Sequence, residues 1–158
     1  MFSKCKTILT VITMVALLTL ALAPVQGQTS ETAMNLLLED IDEAVSELHE
    51  MGYSIANIQV DRMGIDDLSS FERTLYAGNE YVIFGIGEYT IADLDLYLYS
   101  NTGLLIASDI TDDVSALVTV RPSTSKNYSI MTDIFAVNAG VNRQGEFFFA
   151  TIIAFKSV

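Results

Sequence analysis

Leucine occupies every second position of Leu94–Leu98, and the residues between the leucines are acidic or aromatic. A period of two places successive side chains on opposite faces of an extended strand, so this segment predicts a strand with one buried and one outer face. Ser100–Gly103 follows with residues typical of a hairpin turn, and Leu104–Ala107 supplies a second apolar segment. Two strands joined by a tight turn indicate antiparallel pairing and exclude an all-helical fold.

Further strand patterns occur along the chain. They are Ala56, Ile58 and Val60 alternating with Asn57, Gln59 and Asp61, which predicts a half-buried strand; Tyr81–Ile86, apolar on both faces; Ala116, Val118 and Val120; Tyr128, Ile130, Thr132 and Ile134; and the strongly apolar Phe147–Phe155. Arg62–Ser70 is interpreted as a loop and Asn138–Gly145 as a turn, because both are rich in residues that interrupt strands. Short strands at intervals of about 8 to 12 residues predict a mainly β fold, an antiparallel, jelly-roll-like β-sandwich over residues 53–158.

A helical pattern precedes these strands, over residues 28–52. Its apolar side is formed by Met34, Leu37, Leu38, Ile41, Val45 and Leu48, and acidic residues fill the other side. Thr29 or Ser30 can cap its start, and Gly52 can adopt the left-handed conformation that ends it. We expect this helix to pack on the sandwich, with binding to a partner as the alternative.

The first 27 residues have the pattern of a signal peptide. Met1–Lys6 carries two lysines, Ile8–Ala23 is mostly apolar, and small residues precede a cut after Gly27. A cut after Ala23 would leave Pro24 at the new terminus, and a retained membrane anchor is a further alternative. The pattern predicts a secreted or periplasmic protein.

The chain is strongly acidic, with a formal net charge of −12, and all of its acidic residues lie after Gly27. Such a surface repels nucleic acid, and no second apolar segment predicts a membrane span after cleavage. The one cysteine, Cys5, lies in the leader, so we expect a sandwich without disulfides.

Catalytic motifs are missing from the sequence. The one histidine is His49, at the end of the predicted helix, and no G-x-S-x-G or H-E-x-x-H pattern occurs. Without a positioned acid, base and nucleophile, we expect the protein not to be an enzyme.

Four short motifs resemble the bacterial pre-peptidase C-terminal domain family. They are Leu75-x-Ala77-Gly78-x-x-Tyr81, Asp93-x-Asp95-Leu96-x-Leu98-Tyr99, Gly103-x-Leu105-Ile106-Ala107-x-Asp109 and Ser125-x-x-Tyr128. The chain departs from the family at Lys126 and Asn127, where the family usually has glycine. The resemblance implies a secreted β-sandwich module that accompanies exported enzymes, and some related modules bind calcium.

Three aspartates are candidate calcium ligands. Asp93 and Asp95 leave one strand on the same face, and a turn could bring Asp109 close to them, which would provide the oxygen ligands that calcium prefers. The alternative is that they are solvated residues that keep the outer face polar and discourage edge pairing. No other cofactor is predicted.

Tyr76, Tyr89, Tyr97 and Tyr99 are the candidate ligand-binding residues, because aromatic side chains beside acids suit a polar, extended ligand. Cross-strand pairing that stabilises the sheet explains them equally well. The favoured hypothesis is an exported, non-catalytic module that binds a protein or an envelope glycan. The alternatives are a structural subunit that assembles through the helix and Phe147–Phe155, and so forms an oligomer, or a calcium-stabilised accessory domain of a secreted enzyme.

Overall fold

The computed structural model describes residues 30–158, so the leader, its cleavage site and the cap predicted at Thr29 lie outside the described residues. One helix, α1 (Ser30–Glu50), is followed by eight strands. The strands are β1 (Ser54–Met63), β2 (Leu68–Leu75), β3 (Asn79–Gly87), β4 (Ile91–Ser100), β5 (Leu105–Asp109), β6 (Ser115–Val120), β7 (Lys126–Val137) and β8 (Phe147–Ser157). No helix in this part of the chain is both long enough and apolar enough to span a membrane.

The strands form two four-stranded antiparallel sheets. Sheet A has the order β1-β8-β3-β6 and sheet B the order β2-β7-β4-β5. This arrangement is that of an eight-stranded jelly roll, which confirms the predicted fold class. Consecutive strands mostly change sheets, and the β4–β5 hairpin, with Gly103 at a φ of 79°, stays within sheet B as its turn residues predicted.

The core between the sheets follows the period-two pattern. Leu94, Leu96 and Leu98 are completely buried, and Tyr128, Ile130 and Ile134 of β7 belong to the same cluster. On the sheet A side, Phe149 and Ile153 of β8 contribute to this interior. Strand β8 lies between β1 and β3, so the apolar strand proposed for assembly in the structural-subunit hypothesis is internal to the fold.

Helix α1 packs on the outer face of sheet A, against β1, β3 and β8. Its buried side is narrower than expected: Leu37, Ile41 and Leu48 are buried, whereas Leu38 is 49% exposed. The helix ends as predicted, because Gly52 has a φ of 83° and its N–H donates to the His49 carbonyl at 3.0 Å.

Two expectations about the first strands were wrong. The segment interpreted as a loop over residues 62–70 is a loop only over residues 64–67, because β1 continues to Met63 and β2 begins at Leu68. A bulge between Ile55 and Asn57 also shifts the register of β1. As a result, the polar Asn57 lies opposite the core residue Ile153, while Ile58 lies on the outer side and is 43% exposed.

Candidate functional site

The outer face of sheet B carries the densest group of chemically active side chains among the predicted site residues. It is opposite the face that bears the buried leucines of β4, and helix α1 covers sheet A instead. We call the part of it formed by Asp93, Asp95, Tyr97, Tyr99 and Asp133 the acidic face. Four of these residues come from β4 and one from β7.

The strand register places two carboxylates opposite each other. Asp95 of β4 pairs with Asp133 of β7, and both side chains leave the sheet on the same side. Directly opposed like charges on neighbouring strands destabilise a sheet. None of the ion pairs within residues 30–158 involves either carboxylate. The acidic face therefore holds two opposed carboxylates that no basic side chain within residues 30–158 neutralises by an ion pair.

Asp93 adds a third carboxylate beside this pair. Bulges on either side of it interrupt the pairing with β7, and the chain after β5 covers it, with the Leu94 N–H donating to the Asp113 carbonyl at 2.8 Å. Asp93 is only 6% exposed, and its Oδ1 has no hydrogen-bond partner. Burial raises the pKa of the Asp93 carboxyl, and the charges of Asp95 and Asp112 raise it further.

Proton affinity is raised at two other positions of the face. Burial raises the pKa of the Asp133 carboxyl, with the Asp95 charge as the next cause. The Tyr97 hydroxyl donates to Asp95 Oδ2 at 2.9 Å, and burial together with this bond raises the pKa of Tyr97 to about 12. The tyrosine therefore stays protonated and keeps its hydrogen bond at physiological pH.

The two tyrosines form a small aromatic platform. The Tyr97 and Tyr99 rings lie with their centroids 6.4 Å apart and their planes inclined by 21°. Both side chains are partly exposed, and the exposed Phe135 lies further along β7 on the same face. An aromatic surface beside carboxylates that form no ion pair is suited to a cationic group, because the ring faces and the carboxylates both attract positive charge.

The third predicted calcium ligand, Asp109, accepts hydrogen bonds between the two sheets. Asp109 lies at the end of β5, and its Oδ2 accepts the backbone N–H of Leu117 in β6 at 2.9 Å. Its Oδ1 accepts the Thr111 hydroxyl at 2.8 Å, and these hydrogen bonds, first that from Leu117, lower the pKa of Asp109. Asp109 thus joins the edge strands of the two sheets.

Within residues 30–158, no three His, Cys, Asp or Glu side chains lie close enough together to hold a metal ion. Calcium binding stays a prediction, and a melting temperature that does not differ between chelator and millimolar calcium would contradict it.

The four predicted tyrosines do not form one site. Tyr76 precedes β3 and Tyr89 follows it, so these two lie at opposite ends of that strand, whereas Tyr97 and Tyr99 share the acidic face. The sequence reasoning missed Asp133, since its relation to Asp95 depends on the register between β4 and β7, for which the chain carries no local signal.

Comparisons with known proteins show no family. No family model matches the chain, and no curated protein matches it. Among solved structures, PliG of Aeromonas hydrophila, a periplasmic lysozyme inhibitor of g-type lysozyme, is similar with a TM-score of 0.46 and 9% sequence identity. The match covers 63% of this chain and 85% of PliG, and no functional conclusion follows from it. Membership of the pre-peptidase C-terminal family stays a prediction.

Proposed function

We propose that the protein is an exported, non-catalytic jelly-roll module whose acidic face binds a basic segment of another protein. Export rests on the leader pattern of residues 1–27, and the binding role rests on the geometry of sheet B. The observation that carries the proposal is the Asp95–Asp133 pair, opposed across two strands on a face that helix α1 does not cover.

This pair costs the free protein stability, and a cation supplied by a partner removes that cost. Like charges placed directly opposite each other weaken strand pairing, and breaches of local folding rules concentrate at functional sites. A guanidinium group can donate to both carboxylates at once, because its N–H groups form a rigid fork. The pair therefore suits an arginine better than a single small charge.

The surroundings of the pair favour a protein as the source of the cation. The Tyr97–Tyr99 platform lies next to it, and half-buried Met131 and exposed Phe135 extend the surface along β7. Tyrosine, methionine and phenylalanine are enriched in protein interfaces, where they pack against arginine and apolar groups. A bare metal ion would leave this apolar and aromatic surface uncovered.

The proposal is tested with two peptides that differ only in charge. One is an arginine-rich peptide of about a dozen residues, and the other has citrulline at each arginine, which keeps the shape and removes the charge. We expect the arginine peptide to bind, and replacing Asp95 and Asp133 by asparagine to weaken its binding about fivefold or more. Fluorescence anisotropy at physiological ionic strength measures both affinities.

A control separates the site from overall charge. The Asp40→Asn and Glu43→Gln pair removes the same number of charges from exposed positions of α1, and we expect it to change the affinity less than about twofold because exposed charges are screened. Equal losses of affinity in the two double variants would show that peptide binding depends only on net charge.

A glycan array tests the alternative ligand class. An array that yields a specific ligand, while the arginine peptide fails to bind, would replace the protein partner by a glycan.

A further inference from the structure

A second site lies away from the acidic face, in the opening between the two sheets. Strands β1 and β2 are edge strands of different sheets, and between them is a cleft of about 360 Å³. Side chains from β1, β2, β3, β8 and the β2–β3 connection line it, among them Asn57, Arg73, Tyr76 and Asn79. A concave site with a few polar groups on an apolar wall is the usual form of a small-molecule site.

Arg73 is the positively charged residue in the lining of this cleft. Its Nη2 donates to Asn57 Oδ1 at 2.6 Å, and its guanidinium lies over the Phe71 ring, 5.6 Å from the ring centroid. These two contacts hold the guanidinium in place. Across residues 30–158, the ion pairs are formed by Arg62, Arg121 and Lys156, so Arg73 has no carboxylate within salt-bridge distance despite the excess of acids.

The side chain of Asn57 has a hydrogen-bond donor for which the cleft wall provides no acceptor. Because Arg73 donates to its Oδ1, the amide orientation is fixed and the other atom must be the NH₂ group. That Nδ2 is buried and has no hydrogen-bond partner. Buried amide donors are nearly always paired, so the hydrogen bonding of this wall is incomplete, and a carboxylate bound to Arg73 would change the surroundings of the Asn57 amide.

Tyr76 supplies an aromatic surface at the mouth of the cleft. Its side chain is 58% exposed, whereas its backbone is fixed, since its N–H donates to the buried Tyr81 hydroxyl at 3.0 Å. A ring that is exposed on a fixed backbone can pack against the flat C–H face of a sugar without being ordered first. Asn79, in the same lining, adds further hydrogen-bonding groups.

We propose that this cleft binds a sugar that carries a carboxylate, such as a hexuronic acid unit. The carboxylate pairs with the guanidinium of Arg73, and the sugar ring packs on Tyr76. The fork of N–H groups on arginine matches a carboxylate, and the modest volume suits one sugar ring. This site is distinct from the acidic face, because the two share no residue.

The experiment compares methyl glucuronide with methyl glucoside, which has the same ring but no carboxylate. Titration into isotopically labelled protein, followed by NMR, is expected to shift the side-chain amide signal of Asn57 with the glucuronide. With the glucoside, we expect binding at least about tenfold weaker, since a hydrogen-bonded charge pair is lost. Equal binding of the two sugars, or shifts that leave Asn57 unaffected, would overturn the proposal. This measurement needs no substituted protein.

Substitutions then test whether Arg73 is the residue that binds the carboxylate. Arg73→Gln is expected to weaken glucuronide binding about tenfold, and Arg62→Gln, which removes an exposed arginine paired with Glu146, should change it less than about twofold. The Asp95→Asn and Asp133→Asn double variant should bind the glucuronide as the unchanged protein does. Equal losses for Arg73→Gln and Arg62→Gln, or preference for acetylglycine over the glucuronide, would contradict a site for acidic sugars.

Discussion

Asp95 and Asp133 lie opposite each other on neighbouring strands, and the proposed binding role would use this pair at the expense of stability. Their carboxylates oppose each other, and burial, with the Asp95 charge second, raises the pKa of Asp133. A carboxyl whose pKa is raised in the folded state binds more protons there than in the unfolded chain. Stability therefore falls as the pH rises from the ordinary aspartate value through this raised value.

Replacing Asp133 by asparagine should stabilise the free protein. We expect a gain of about 0.5 kcal/mol in the free energy of unfolding at neutral pH, because the opposed charges are removed. The gain should shrink in acid, where Asp133 is protonated in both states. Urea unfolding at pH 7 and in acid measures it, with Asp42→Asn on the exposed side of α1 as the matched control. A loss of stability at pH 7 would contradict repulsion between the Asp95 and Asp133 carboxylates.

Glu80 is the opposite case, a carboxylate whose charge is stabilised by hydrogen bonds and by basic side chains. It accepts the Tyr53 hydroxyl at 2.5 Å, Arg121 Nε at 2.6 Å and Lys156 Nζ at 3.3 Å, and it is nearly buried. The Tyr53 bond, followed by that of Arg121, lowers the pKa of Glu80 to about 2. Tyr53 lies in the short connection between α1 and β1, so this cluster ties the end of the helix to sheet A.

Glu80→Gln should therefore destabilise the protein in a pH-dependent way. A lowered pKa contributes stability that is complete above the ordinary glutamate value of 4.5 and is lost as the pH falls from there towards about 2. The stability difference between the unchanged protein and the variant should narrow over that interval. Thermal melts across the acid range measure it. Glu146→Gln, in an exposed pair with Arg62, is the matched control and should cost little stability at neutral pH.

At the scale of elements, the fold was predictable wherever one face of a strand is buried. Strands β3, β4, β6, β7 and β8 appear where alternation or apolar runs placed them. Strand β2 was missed because it is a polar edge strand. The buried face of β1 was predicted wrongly, because the bulge near Asn57 leaves no mark in the hydrophobic pattern. Four residues of the acidic face were predictable from β4 alone. The place of Asp133 depends on the register between β4 and β7, and the contact of Asn57 with Arg73 depends on how the two sheets pack.

The narrow buried side of α1 gives a matched test of helix packing. Leu37 is completely buried against sheet A, whereas its neighbour Leu38 is 49% exposed. Leu37→Ala should lower the free energy of unfolding by about 2 to 5 kcal/mol, because it leaves a cavity in a packed interface. Leu38→Ala should change it by less than about 0.5 kcal/mol. Urea denaturation measures both, and similar costs for the two would contradict the packing of this helix.

At the scale of the whole molecule, the two sheets approach each other closely at Gly85. Gly85 of β3 faces the core, and a Cβ atom there would lie 2.7 Å from Cδ2 of Leu94 in β4. Real Cβ contacts are never this short, so a side chain at position 85 would push the sheets apart or displace Leu94. The close approach is needed because Leu94 is completely buried between the sheets.

Coupling between the sheets can be measured through this contact. Gly85→Ala should destabilise the protein by about 1 to 3 kcal/mol through overpacking, and Leu94→Ala by about 2 to 5 kcal/mol through the cavity it leaves. Because the added methyl group would occupy part of that cavity, the double variant should lose less than the two single losses together, by about 1 kcal/mol. Strictly additive losses in urea unfolding would show that the sheets do not meet at these residues.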